Sequence, residues 1–402
     1  MSKRVIICGG GAAGFFAAIN IAEKHPDYRI TILEKSNKVL SKVKISGGGR
    51  CNVTNARSVP SELVQFYPRG EKKLYKSFSR FSTDDMVDWL EKHGVNTKAE
   101  DDLRMFPVTD SSQTIIDCFL RYIRKYGIEL IKNTGVTNIE KQEQQWRLTT
   151  QNGTSYKADV VVMATGSSNA SWNMLKQLHF ELESPVPSLF TFNIKDERLK
   201  MLQGLSFPYV HIKVAGSKLE ESGPLLITHW GLSGPAVLKL SAWGARHLAA
   251  VQYDFSIIVN LLDGESYDTC RAILNELKQS NPKKKLVNHS WQGIPKRYWE
   301  QLLTFCQIPE STIFGQLSKK QINRITEELT QAHFKVKGKS TFKEEFVTCG
   351  GVKISEVDLN TMESKKHPGL YFSGEVLNID ALTGGFNFQA CWTASWIISE
   401  SV

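Results

Sequence analysis

Two stretches of the 402-residue chain set glycines beside polar groups: "CGGGAAG" (Cys8–Gly14) and "SGGGRCN" (Ser46–Asn52). In the first, Gly9, Gly11 and Gly14 form GxGxxG. The apolar, β-branched run Arg4–Cys8 before it reads as a buried parallel strand, and "AAGFFAAINIAEKH" after it reads as a helix. A second strand, "YRITILEK" (Tyr28–Lys35), ends at Glu34. Strand, glycine turn, helix and strand-end acid make a dinucleotide-binding unit. Gly9 permits the tight turn, Gly11 lets the backbone approach a pyrophosphate, and Gly14 allows close helix–strand packing. Ala12 and Ala13 open the helix, whose free N–H groups favour phosphate. Glu34, with Lys35 beside it, stands where an acid accepts hydrogen bonds from ribose hydroxyls; it would repel a 2′-phosphate, which disfavours NADP there.

Later features favour FAD over NAD. "ADVVVMATGSS" (Ala158–Ser168) is another buried strand, ending in Ala164-Thr165-Gly166. "TNIEKQEQQWRLTTQNGTSY" before it alternates like a β-meander with an Asn152-Gly153 turn. Strand, meander and returning strand resemble the core of two-dinucleotide flavoproteins, in which the backbone near the start of the meander contacts adenine; Val136 stands at that place. Near the C-terminus, "LYFSGE" (Leu370–Glu375) is a strand closing on Gly374 and Glu375, an acid suited to the ribityl or pyrophosphate region. "TGGFNFQ" (Thr383–Gln389) leads into a largely apolar helix expected from about Ala390 to Ser399. A helix start there would favour the negative charge that gathers on a flavin during reduction. Asp380, Gly384, Gly385, Phe386 and Asn387 complete the C-terminal candidates.

"ISGGGRCNVTN", "THWGLSGPAVLKLS", "TCGGVKISEVDLNTMESKKHPGLYFSGEVLNID" and "TGGFNFQ" together resemble the HI0933-like (YhiN-like) family of flavoproteins, essentially end to end. Some of its members carry names such as aminoacetone oxidase-like protein or bile-acid-pathway reductase. The resemblance implies an α/β fold: a Rossmann-like FAD/NAD(P)-binding domain of glutathione-reductase type, with an inserted β-barrel-like domain that itself carries a small helical insert. It also implies that SGGGRCN lies on the isoalloxazine side. Ser46, Gly47 and Gly48 can present amides at close approach. Arg50 can neutralise phosphate or reduced flavin, and Asn52 and Asn55 can fix loop or ring; bracing of the loop itself is the competing reading. Cys51 is either a redox-active thiol or a small packed residue, and packing is the commoner fate of a free cysteine. Two positions depart from the family pattern: Ser167-Ser168-Asn169 where a further glycine is common, and Asn378 where aspartate is frequent.

These groups need positioning by more than one core, because 402 residues exceed a single typical domain. The expected division is 1–190 with 350–402 for FAD, 191–263 with 331–349 for the β-domain, and 264–330 for the helical insert. Substrate is expected at a domain junction, with His229 and Arg104 as candidate polar groups; a structural role is the favoured reading of His229, and a surface arginine is the competing reading of Arg104. Seven scattered cysteines without a CxxC pair argue against a disulfide scaffold or zinc ribbon, so no metal is expected and a reducing cytoplasm is the natural compartment. No apolar run approaches the roughly 18 residues that span a bilayer, and the glycines break any signal-peptide reading of the N-terminus.

The function expected is an FAD-dependent oxidoreductase acting on a small molecule, with no catalytic acid or base assigned. NAD(P)H, where used, would approach as a diffusible donor, since no second GxGxxG is evident. An RNA-modifying flavoenzyme is the alternative, motivated by the net charge of +9 and the basic stretch Asn281–Trp299. A solvated helical face explains that stretch more simply, so nucleic acid is the less favoured partner. A non-catalytic flavin-binding protein is the third reading.

Overall fold

The computed structural model describes residues 2–291, 293–340 and 347–402. The chain folds as two compact units, Met1–Val186 with Lys343–Val402, and Pro187–Phe342.

The first unit is built on β1 (Arg4–Cys8), whose Val5–Cys8 are fully covered. A strand buried on both faces has no polar side to alternate with, hence its unbroken apolar run. β1 pairs in parallel with β2 (Arg29–Leu33) on one side and Val160–Met163 on the other. Val160–Met163 pairs in parallel with Leu370–Phe372, and β2 with Glu129–Ile131. Two short antiparallel strands, Val357–Asp358 and Glu363–Ser364, complete the seven-stranded sheet. The glycine turn after β1, the Ala164-Thr165-Gly166 turn and the Gly374-Glu375 turn therefore leave the same end of adjacent parallel strands, where α/β sheets bind ligands.

Helix α1 (Ala12–Lys24) is buried from Ala13 through Ala22, more than one face's worth. It lies against the sheet, and the terminal helix Phe386–Ser401 packs on it. Ser395 donates to the Ala13 carbonyl (2.9 Å), and the Phe16 and Trp392 rings lie 5.2 Å apart. A helix covered on all sides loses its amphipathic signature. The terminal helix begins at Phe386, not near Ala390, because Gly385 at φ +89° turns the chain into it. The meander runs Val136–Gln142, Gln145–Thr150 and Ser155–Ala158, with Gly153 at φ +80° in the expected turn.

In the second unit, strand order is Ala332–Lys337, Asp254–Asn260, Ser206–Val214, Glu220–Ile227, Gly231–Ser233, Thr191–Asn193, Lys339–Ser340. The first and last are consecutive in the chain, so the sheet closes into a barrel at Gly338. The Gly338 N–H donates to Tyr253 (2.8 Å) while its carbonyl accepts from Asn193 (3.2 Å). Closure removes the exposed strand edges. Three helices, Tyr267–Ser280, Lys296–Phe305 and Lys319–Thr330, bury Leu274, Trp299 and Ile325 in the same core as Val259 and Phe334 of the barrel. Residues 341–346, part of the 331–349 segment expected in the β-domain, lie outside the described residues.

Candidate cofactor site

Each glycine of the first loop has a distinct surrounding. Gly9 adopts φ +115°, and a Cβ there would sit 2.4 Å from the Ala164 carbonyl oxygen. At Gly14 a Cβ would sit 2.0 Å from the Gly9 oxygen, so this glycine lets helix and turn touch. Gly11 differs: its φ of −92° suits any residue, and a Cβ would meet nothing within 4 Å. The room in front of Gly11 is open, and α1 starts there without a side-chain cap. Its first N–H groups and positive dipole end face space that a pyrophosphate can fill.

Glu34 closes the other side of this turn. Its carboxylate accepts from Gly10 N–H (2.8 Å) and from the N–H and Oγ of Ser36 (both 2.9 Å). Oε1 takes both Ser36 bonds, and Oε2 keeps a lone pair for a ribose hydroxyl. Lys35 is exposed, and its Cβ lies near Gly135, just before Val136 at the start of the meander. Across the sheet end, Thr165 carries a buried hydroxyl with no hydrogen-bond partner among the described residues, and the Thr348 hydroxyl and Asn378 amide oxygen are in the same condition. Buried polar atoms are rarely left unpaired, so partners beyond the chain are implied. Among the described residues, Glu375 is the only close neighbour that a Cβ at Gly166 (φ +60°) would have. Glu375, mostly buried, pairs with Lys42 and accepts weakly from Thr348 N–H (3.5 Å). Gly374 (φ +80°) fits between Ala13 and Cys391, at the seam of the two packed helices.

The second loop joins this assembly differently. Gly47 (φ +57°) packs on the Phe106 ring, whereas Gly48 and Gly49 face open space. Ser46 donates to Val43 (3.0 Å). Arg50 is held by Glu100 (2.5 Å) and Asp110 (3.4 Å) and lies 4.0 Å over the Phe106 ring. Asn52, with its amide oriented to suit its neighbours, accepts from Gly385 N–H (2.9 Å) and donates to Thr54 (2.9 Å) and Met105 (3.3 Å). Asn55 donates to Gly384 (3.0 Å), and Thr54 to Gln389 (2.7 Å). The loop thus clamps the start of the terminal helix, which has no side-chain cap of its own. Cys51 is buried at φ +63°, and burial pushes its thiol up to about 12.

The remaining candidates brace the C-terminal segment. Asp380 is fully buried in an ion pair with Arg69. Asn387 holds the Ala381 N–H and carbonyl (both 3.0 Å), and Phe386 stacks on Phe66 at 4.2 Å. Arg104 pairs with Glu100 (2.9 Å) and Asp102 (2.7 Å), and His229 is exposed in the second unit. Sequence reading missed Lys42, Thr54, Thr348 and Gln389. The lysine run before the second glycine loop was a signal for the first; the others are isolated polar residues in apolar surroundings.

A dinucleotide fits what the first unit offers: open room at Gly11, an uncapped helix start, an acid at the end of β2, and an orphaned Thr165 hydroxyl. Among the described residues no helix is long and apolar enough to cross a membrane. Comparison with known proteins agrees with the fold. The chain is 30% identical to a ribosomal RNA dihydrouridine synthase of Escherichia coli K12, over 99% of this chain and 97% of that one. It is 24% identical to a 3-dehydro-bile acid delta(4,6)-reductase of Clostridium scindens, over 99% and 98%. Among solved structures, a 3-ketosteroid-delta4-(5alpha)-dehydrogenase from Rhodococcus jostii RHA1 shares the fold at TM-score 0.51 and 14% identity, covering 99% of this chain and 97% of that one. The profile of the HI0933-like protein Rossmann domain matches residues 3–401. The chain belongs to the HI0933-like family, whose Rossmann domain spans nearly all of it.

Proposed function

We propose that the protein is a reductase of carbon–carbon double bonds conjugated to a carbonyl. The observation that carries this reading is a common chemistry in the names of two relatives. Dihydrouridine differs from uridine by two hydrogens across a ring double bond conjugated to a carbonyl, and a 3-dehydro-bile acid delta(4,6)-reductase saturates bonds conjugated to a ketone. FAD held here and first reduced by NADH or NADPH would supply a hydride to the electron-poor carbon of such a bond, with a proton from solvent completing the neighbouring carbon.

The chain's own residues hold and tune that cofactor. Gly11, Ala12 and Ala13 offer backbone N–H groups to the pyrophosphate, while Gly9, whose own N–H goes to the Leu33 carbonyl (2.9 Å), and Gly14 shape the turn; Glu34 takes the ribose, and Val136 the adenine. Thr165, Gly166, Gly374 and Glu375 serve the ribityl side, with Lys42 balancing the charge of Glu375. The start of the terminal helix, held by Asn52, favours negative charge placed beside it. NADH or NADPH reaches the site as a diffusible donor.

A uracil base within RNA is the second reading of the substrate, favoured by the basic balance of the chain (+9). Both are tested on the purified protein under anaerobic conditions. NADH or NADPH should bleach the flavin band, and adding either a uracil-containing RNA or a 3-oxo-Δ4 steroid should restore it. Restoration by RNA alone establishes the second reading; restoration by neither, with air still reoxidising the flavin, rejects the proposed reaction class.

A further inference from the structure

The positive charge is unevenly divided. The 156 residues of the second unit contain 20 Lys and Arg against 13 Asp and Glu, a net of +7, leaving +2 for the 246 residues of the first. Within the second unit the excess gathers further: Leu277–Lys320 carries eight Lys and Arg against two acids, Glu300 and Glu310.

The fold draws most of these cations to one end of the helical segment. Lys285 bridges to Ile313, Phe314 N–H donates to Lys284 (3.0 Å), and Gly315 N–H donates to Pro282 (2.9 Å). This clamp sets the Lys283-Lys284-Lys285 turn against the segment that leads into helix Lys319–Thr330. Lys278, from the end of the neighbouring helix, donates to the Leu317 carbonyl just before it. Lys283, Lys284, Lys285, Lys319 and Lys320 are all exposed. Among the described residues none of the five has a carboxylate partner at ion-pair distance.

The placement of Lys319 and Lys320 opposes local stability. They occupy the first turn of a helix, where the dipole favours acids, and Lys296 and Arg297 do the same on helix Lys296–Phe305. Simple solubility does not require cations at these positions. A surface that meets an anion does. The rigid backbone clamp means little ordering is needed on binding.

We propose that this lysine end of the helical segment docks the phosphate backbone of folded RNA. The inference rests on the RNA reading of the substrate and gives it a second contact surface, remote in sequence from every residue assigned to FAD. Lysines contribute sequence-independent attraction to phosphate, so this surface would position the RNA and leave base choice to the flavin site.

The test compares the flavin-loaded wild type with K283Q/K284Q/K285Q, with K319Q/K320Q, and with a control of equal charge change, K72Q/K73Q/K76Q, on exposed lysines of the first unit. Affinity for deproteinised ribosomal RNA is measured between about 50 and 200 mM salt. The triple variant should weaken binding roughly tenfold or more and flatten the log–log salt dependence by about 2–3, as expected for three lost phosphate contacts. The double variant should lose a smaller part and the control almost none, all with unchanged flavin content. Equal losses in the control and the triple variant, or none in either, would overturn the surface while leaving the RNA reading standing. No salt-sensitive RNA binding by the wild type would overturn both. Binding to phosphatidylserine vesicles in preference to RNA would reassign the surface to membranes and reject this proposal.

Discussion

The two glycine loops of the first unit look alike in sequence and differ in what surrounds their glycines. In Cys8–Gly14, Gly9 and Gly14 bring backbone onto backbone, but Gly11 opens on free space. In Ser46–Asn52, Gly47 seats on Phe106, Gly48 and Gly49 face open space, and the polar residues that follow turn inward: Arg50 to two carboxylates, Asn52 to the Gly385 N–H. Open space at a glycine is common to both loops; what differs is that Gly11 opens onto an uncapped helix start, whereas the polar side chains of the second loop are taken up by the chain itself. A glycine cluster therefore marks close approach without saying whether a ligand or the chain itself makes it. The groups beside each glycine decide that.

The comparison is sharpest within the first loop. Gly14→Val should lose the fold, since its side chain would overlap the Gly9 carbonyl and no flexible group can yield. At Gly11 an added Cβ meets nothing within 4 Å among the described residues and the backbone suits any residue, so Gly11→Val should fold with near wild-type thermal stability yet purify without flavin. The flavin-to-protein absorbance ratio and a melting curve separate these outcomes. A yellow, stoichiometric Gly11→Val protein would remove pyrophosphate binding from this turn.

Next in size is Gly385→Ala. The residue stands at φ +89°, and its Cβ would sit 2.3 Å from the Thr54 carbonyl oxygen. A left-handed backbone and a backbone overlap together should cost about 3 kcal/mol or more, read from the denaturant midpoint. Asn52→Ala should cost less, roughly 1–3 kcal/mol, by leaving the Gly385 N–H and two carbonyls without their partner. If Asn52→Ala instead kept full stability and lost flavin, the second loop would be a ligand loop after all.

Much of this architecture was legible because it follows local rules. The buried β-branched runs of β1 and Val160–Met163, the acid at the end of β2 and the Asn152-Gly153 turn each carry their own signal. The start of the terminal helix was less legible. Thr383–Gln389 mixes two glycines with a buried Gln389, and only its tertiary partners, the Thr54 hydroxyl at 2.7 Å and the Ser82 carbonyl at 2.8 Å among them, explain a polar side chain on a covered face. The direction in which Arg50 points was illegible for a similar reason. Its acids, Glu100 and Asp110, lie 50 and 60 residues away and meet it only because Arg104–Pro107 pairs with Thr54–Asn55. Orphaned atoms such as the Thr165 hydroxyl belong to burial in three dimensions, which no spacing encodes.

The smallest expected effect is the most informative about the second loop. Arg50 is about one-third exposed, and its carboxylate partners are comparably open to solvent. Exposed pairs of this kind are screened by solvent and contribute little, so Arg50→Ala should barely move the melting temperature. Its guanidinium already faces two carboxylates, so flavin retention should also stay near wild type. Cys51 next to it gives an independent check. With the thiol pushed up to about 12 by burial, almost no thiolate exists at pH 8, and alkylation of Cys51 in the folded protein should be slow until the protein unfolds. Mass spectrometry of iodoacetamide-treated protein reads this directly. Fast labelling of Cys51 with flavin loss on Arg50→Ala would mean that the loop opens toward a ligand, and the contrast between the two glycine clusters would collapse. Slow labelling with flavin retained would leave the second loop as the clamp that aims the terminal helix.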